Sequence, residues 1–273
     1  MEFRYDKHNK YHRLVRSIVI AAISLTVMIW LWWMISIIAD KPAIPTPYDT
    51  FVALIDLFKY GDPIHDVAIS VYIEASLKKL VQGFFLALIV ALPLGLIMGR
   101  FKVLREFFTP MIEVLRPIAP IAWAPIFFIL FTGADGDTTW ASSLVVFIGI
   151  VFPLMTNVMF GVTKIDPITL DAAKTLGASD LQIFLKVMLP STVPYLMNGI
   201  KIGLGIGWMC IVAAELYDGF NPGLGSYLSL MISNSSYAQA FAGIILISVL
   251  GLLTTGLAEY IHKKVNKRMG VDM

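Results

Sequence analysis

DAAKTLGASDLQIFLKVMLP, residues 171–190, lies between two long apolar stretches, and its reading decides the fold. The segment is polar and carries Lys174 and Lys186, so it cannot be embedded in hydrocarbon and must be presented on one side of a membrane. Its grammar predicts two short helices joined at a hinge. Asp166 supplies an N-cap and Pro167 occupies the first helical position, where a missing N–H costs nothing. That helix is expected to stop at Gly177, which tolerates left-handed geometry. Ser179 followed by Gln182 forms a capping-box pattern for a second helix, expected to end before Pro190. Leu181, Phe184, Leu185 and Met188 fall at i, i+3, i+4, i+7 and predict one apolar face ready to pack.

Outward from this segment the chain is built for a bilayer. Of its 273 residues 58% are hydrophobic and 15% are charged, with a mean hydropathy of +0.77; soluble domains carry roughly 25% charged residues. Six spans are predicted, at about 17–39, 80–99, 110–131, 140–162, 192–214 and 238–260. The first is too long for a removable signal peptide. The predicted class is therefore an all-α polytopic membrane protein. Its parts are an N-terminal segment 1–16, the first span, an external amphipathic segment 40–79, a core 80–260 containing the polar loop 163–191, and a tail 261–273.

Lysine and arginine give the orientation. Arg4, Lys7, Lys10, Arg13 and Arg16 share a side with Arg100, Lys102 and Arg105, with the 171–190 loop, and with Lys263, Lys264, Lys267 and Arg268. The positive-inside rule makes that side, and both termini, cytoplasmic. Lys41, Lys59, Lys78 and Lys79 are assigned to the opposite side, among five acidic residues, and the loops FTGADGDTTW and 215–237 contain no basic residue. In segment 40–79, Pro42, Pro45 and Pro47 stop any helix, and 48–58 and 64–77 read as amphipathic stretches along the outer surface.

Small residues recur four apart within the spans. Gly83, Ala87, Ala91, Gly95 and Gly99 form one ridge and Gly199, Gly203 and Gly207 another, the pattern that lets helix backbones approach closely. Gly203, Gly205 and Gly207 follow no strand, so packing is a better reading than a dinucleotide fingerprint. Pro93, Pro120 and Pro125 predict kinks. Trp30, Trp32 and Trp33 fit an aromatic belt or lipid contact.

Motifs for chemistry are absent. No GxxxxGK[ST] occurs, so this chain carries no P-loop. His8, His12, His65 and His262 have no metal-ligand spacing, and Cys210 has no partner for an intrachain disulfide. Asn234, Ser235 and Ser236 match the glycosylation triplet, a frequent chance match. Glu215, at the end of the fifth span, reads either as an interfacial carboxylate or as a gating or structural group. Glu113 and Arg116 are spaced to pair at i, i+3, and Trp123 stands between Pro120 and Pro125 as a candidate pathway residue.

The 171–190 segment resembles the EAA loop of ABC importer permeases. An acid with two alanines (Asp171, Ala172, Ala173), Gly177 followed by Ala178, and a closing Leu189–Pro190 pair stand at the family's spacing, with Asp171 where Glu is usual and Val187 where Ile is commoner. RPIAPIAWAPIFF (116–128), NGIKIGLGIGW (198–208), VAAEL (212–216) and PGLG (222–225) follow the order seen in permeases of the nitrate, sulfonate and taurine importer group. The resemblance covers about residues 42–260. It implies a five-helix type I importer core plus a peripheral first helix, in the cytoplasmic membrane. It also implies two permease copies, ATPase subunits that dock on the loop and hold ATP and Mg, and an external solute-binding protein; membrane lipid is a further partner, nucleic acid is not. The substrate class it implies is a small anion such as nitrate, bicarbonate, taurine or an alkanesulfonate. A secondary transporter or channel working without ATP is the alternative. It would place ionisable relays at the bilayer midplane, where the spans are nearly charge-free.

Overall fold

A helix of small and β-branched residues, Thr139–Thr163, forms the axis of the molecule because it can be approached on both sides. In the computed structural model, which describes residues 10–133, 135–218 and 221–269, the elements run in chain order as follows. They are α1 (Lys10–Ala39), α2 (Pro47–Tyr60), α3 (Ile69–Arg100), α4 (Lys102–Leu115), a 3₁₀ turn (Pro120–Trp123), α5 (Ala124–Phe131), α6 (Thr139–Thr163), α7 (Pro167–Thr175) and α8 (Asp180–Ile183). A π-helical turn (Phe184–Met188), α9 (Leu189–Asp218), α10 (Leu224–Ser233) and α11 (Tyr237–Met269) complete the chain. Arg4, Lys7 and His8 lie outside the described residues, as do the side chains of Lys10, His12, Arg13 and Arg268.

The two glycine ridges both face α6. A Cβ on Gly95 would stand 2.8 Å from the Met155 carbonyl and from Val158, one on Gly99 2.4 Å from Val162, and one on Gly83 2.5 Å from the Ser143 carbonyl. On the other flank, Gly199 abuts Asn157 and Leu154, and Gly203 and Gly207 abut Ile150. Such approach substitutes dispersion contact for the hydrophobic drive that lipid cannot supply. α10 and α11 pack on α9, and α2 packs on α11. We expect Gly95→Ala to cost about 1–3 kcal/mol by overpacking, read as a fall in thermal midpoint in detergent. Gly256→Ala, where nothing lies within 4 Å, should leave the midpoint unchanged or raised.

Among the described residues, five helices are long and apolar enough to cross a membrane, six if the bent pair α4 and 120–131 counts as one span. That pair corrects the expected continuous span at 110–131, because its two halves are bent by 87°. Pro117 and Pro120 remove two neighbouring intrahelical donors, and α5 starts afresh with Pro125 in its first turn. α4 then lies as an amphipathic helix with no buried residue, and the expected Glu113–Arg116 pair does not form; both side chains are exposed.

Two further boundaries and one side chain differ from expectation. Residues 64–77 are not a separate surface stretch: from Ile69 they are the first turns of the 32-residue α3, since no Gly or Pro interrupts 69–82. Pro190 does not end a helix, since 180–218 runs as one 39-residue element. The π turn before it, closed by the Leu189 N–H on the Phe184 carbonyl, loosens the ladder where the proline ring would otherwise meet residue 186. Finally, Trp32 is not free for lipid. Its indole donates to the Pro45 carbonyl at 3.1 Å and stacks on Phe241 at 5.8 Å, so with Ser36 on Ile44 it ties down one end of the otherwise exposed α1.

Candidate functional site

The two ends of the α6–α9 core carry different chemistry. At the end where α6 finishes and α9 begins, the Asp166 side chain accepts the Ile168 N–H and starts α7. α7 closes in a Schellman motif: the Ala178 N–H bonds to the Ala173 carbonyl at 3.1 Å and the Gly177 N–H to that of Lys174 at 2.9 Å, with Gly177 at φ +81°. Ser179 and Gln182 then form the reciprocal capping box and start α8.

The buried face of this segment is Ile183 and Met188, packed on Leu96, Val158 and Val162. The expected stripe is thereby corrected. Leu181 is 66% and Leu185 50% exposed, because the π turn spaces the inward residues at i, i+5 rather than i, i+4. Ile168 at 73% and Leu176 at 88% join them, so the hinge presents apolar side chains to the exterior around an exposed Asp171. Ala173, Ala178 and Leu189 pack partly against the same buried cluster, whereas Ala172 and Pro190 are exposed.

At the far end the fully buried Glu215 gathers three elements. Both carboxylate oxygens lie 2.8 Å from the Ser76 hydroxyl, Oε1 lies 3.2 Å from the Lys79 ammonium, and Oε2 accepts the Gly225 N–H at 2.9 Å. Lys79 also donates to the Pro222 carbonyl at 2.9 Å, and the Leu224 N–H donates to Ser76 Oγ at 2.8 Å. The carboxylate thus sits on the Gly225 N–H in the first turn of α10, where the helix dipole favours an anion. PGLG needs its glycines for clearance: a Cβ on Gly223 would stand 2.2 Å from Glu215 Oε1, and one on Gly225 2.5 Å from the Val212 carbonyl. A second buried carboxylate, Asp218, accepts from the Thr138 hydroxyl and ties the end of α9 to the start of α6. Beside them the Asp137 carboxyl is held below the usual range, chiefly by the Thr139 hydroxyl and N–H, with Lys78 and Lys79 adding to this.

Residues 91–267 match the family described as binding-protein-dependent transport system inner membrane component. The chain belongs to this family. The permease is 36% identical over 189 residues, 69% of each chain, to a putative ABC transporter permease of Methanocaldococcus jannaschii. It is 31% identical to the nitrate import permease of Leptolyngbya laminosa, over 93% of this chain and 89% of that one. To the taurine transport system permease of Escherichia coli it is 28% identical, over 88% and 86%. Its fold matches a chain of the inward-facing MetNI methionine ABC transporter with a TM-score of 0.57 at 17% identity, covering 72% of the permease and 97% of that chain. The permease is thus a multi-pass subunit of an ABC importer, a family that works with a separate ATPase and a solute-binding protein.

Within the permease, Trp123 ends the 3₁₀ turn at the 87° bend, half-buried and stacked on Phe127 at 6.3 Å. Glu215 and Trp123 are therefore not in one site: one closes the α3–α9–α10 junction, the other sits where the third span breaks. Three polar pairs escaped the sequence reading. Lys79, assigned there to the outer segment, is a 2%-exposed helical residue whose partner is 136 positions away. Lys201 lies within α9 and pairs with Glu259 of α11 at 2.9 Å. The Asn198 amide donates to Asn157 at 2.9 Å across α9 and α6. Lys201 inside an apolar helix was the one legible signal, since an intramembrane charge calls for a partner.

Proposed function

We propose that this permease carries a small anion inward across the cytoplasmic membrane, as half of a pathway formed by two copies. In this reading both termini and the 166–190 segment face the cytoplasm, where ATPase subunits holding ATP and Mg dock on Leu176, Leu181 and Leu185 around Asp171 and Gly177. A solute-binding protein delivers the anion to the opposite face, near the Glu215 latch. Trp123 lines or gates the route at the break in the third span, and Glu215 holds the gate shut by its bonds rather than by touching substrate, because its charge is paired with Lys79 and, unpaired, it would repel an anion. The nitrate and taurine specificities named for its relatives support the substrate class.

The observation that carries this reading is the capped hinge itself. It spends its backbone donors internally and leaves large apolar side chains outside, which is costly unless another protein covers them. The test is reconstitution of the permease with its ATPase and binding protein in vesicles. We expect nitrate or taurine uptake that depends on ATP supplied at the 166–190 face. In the same vesicles a cysteine at Asp135 should react with an impermeant reagent from the uptake side and one at Lys267 should not; the native Cys210 is buried and adds little background. Labelling in the reverse pattern, or uptake indifferent to ATP, would reject the proposal.

A further inference from the structure

Beside the hinge, between the end of α6, the start of α9 and the end of α11, lies a cavity of about 450 Å³ that the transport reading does not use. Lys164 and Lys186 line it, and among the described residues neither ammonium has a carboxylate within ion-pair distance. Lys164 is held over the Phe160 ring, 5.1 Å from its centroid. Thr169, Ser191 and Tyr195 also line it, and among the described residues their hydroxyls make no hydrogen bond. Asp166 is the one acid in the lining, and its Oδ1 is occupied by the Ile168 N–H. Two lysines without a carboxylate partner and three hydroxyl side chains around one concavity have the chemistry of a site for a phosphate group.

We infer that this cavity binds the phosphodiester headgroup of an anionic phospholipid from the leaflet at the hinge end. Depth favours lipid over a soluble ion or the docked ATPase. Tyr195 is six residues into α9, about 9 Å at the helical rise, so from the first turn of α7 the cavity reaches along α9 toward the membrane. The framing helices also offer apolar surface for acyl chains, with Phe160 48%, Leu257 61% and Ile261 43% exposed. Basic pockets between spanning helices near a membrane surface take such headgroups. The inference requires only that the chain spans a membrane, so it can fail while the importer reading stands.

The test is native mass spectrometry of the full-length permease titrated with phosphatidylglycerol or phosphatidylcholine in detergent. We expect one phosphatidylglycerol to be retained in preference to phosphatidylcholine. Lys164→Gln and Lys186→Gln should each weaken it about fivefold and the pair about twentyfold, with phosphatidylcholine binding unchanged and Lys164→Arg restoring retention. Unchanged thermal midpoints of the variants exclude misfolding as the cause. Equal retention of the two lipids, or phosphatidylglycerol binding indifferent to both lysines, would overturn the inference. Displacement of the lipid by millimolar inorganic phosphate would assign the site to the free ion instead. Loss of ATPase co-purification with lipid retention intact would assign the lysines to the protein interface.

Discussion

Glu215→Gln is expected to lower the stability of the permease by about 3–5 kcal/mol, because it leaves the Lys79 ammonium buried without a counter-charge. The amide can still accept from Ser76 and Gly225, but its NH₂ group offers Lys79 nothing to bond. For a chain of this size that loss corresponds to a fall in thermal midpoint of about 10 °C or more, measurable by tryptophan fluorescence in detergent. Pairing it with Lys79→Met removes both charges together, and the double variant should recover most of the loss. The double-mutant cycle then gives the coupling between the two side chains directly. Additive losses would mean that Lys79 and Glu215 act independently, and the latch would be reduced to ordinary packing.

Gly177→Asp should leave the fold intact and abolish transport. Nothing lies within 4 Å of a Cβ at this position, so the substitution can be made without a clash at the Cβ. The residual cost is the left-handed φ of +81°, which Asp tolerates at about 1 kcal/mol. A carboxylate beside Leu176 would instead enter the surface offered to the ATPase. We expect at least tenfold weaker co-purification of the ATPase and a matching loss of uptake, with a thermal midpoint within a few degrees of the wild type. Gly177→Asn, equally left-handed and uncharged, should retain most activity. Normal ATPase association with normal uptake in the Asp variant would remove the coupling role from the hinge, and a midpoint as low as that of Glu215→Gln would show a folding defect instead.

Signals that act over one or two helical turns were legible in the sequence. Asp166–Pro167, Gly177 and the Ser179–Gln182 box each satisfy backbone groups within a few residues, so their chemistry is local and the residues declare it. The glycine ridges were equally plain, because four-residue spacing puts small side chains on one helix face whatever packs there. Membrane class followed from hydropathy alone, since a bilayer demands long uncharged helices.

The sequence by itself could not decide what depends on a distant partner or on how successive breaks add. Lys79 read as an exposed outer-segment charge because its reason for burial, Glu215, is 136 residues away and reaches it only when α3, α9 and α10 converge. Pro120 and Pro125 each predict a kink, but that with Pro117 they compound into an 87° turn depends on what α4 and α5 can pack against. The outward rotation of Leu181 and Leu185 was set by one π turn, whose single extra residue reorients the face. Periodicity counts residues along an ideal helix, whereas tertiary packing chooses where that ideal is broken.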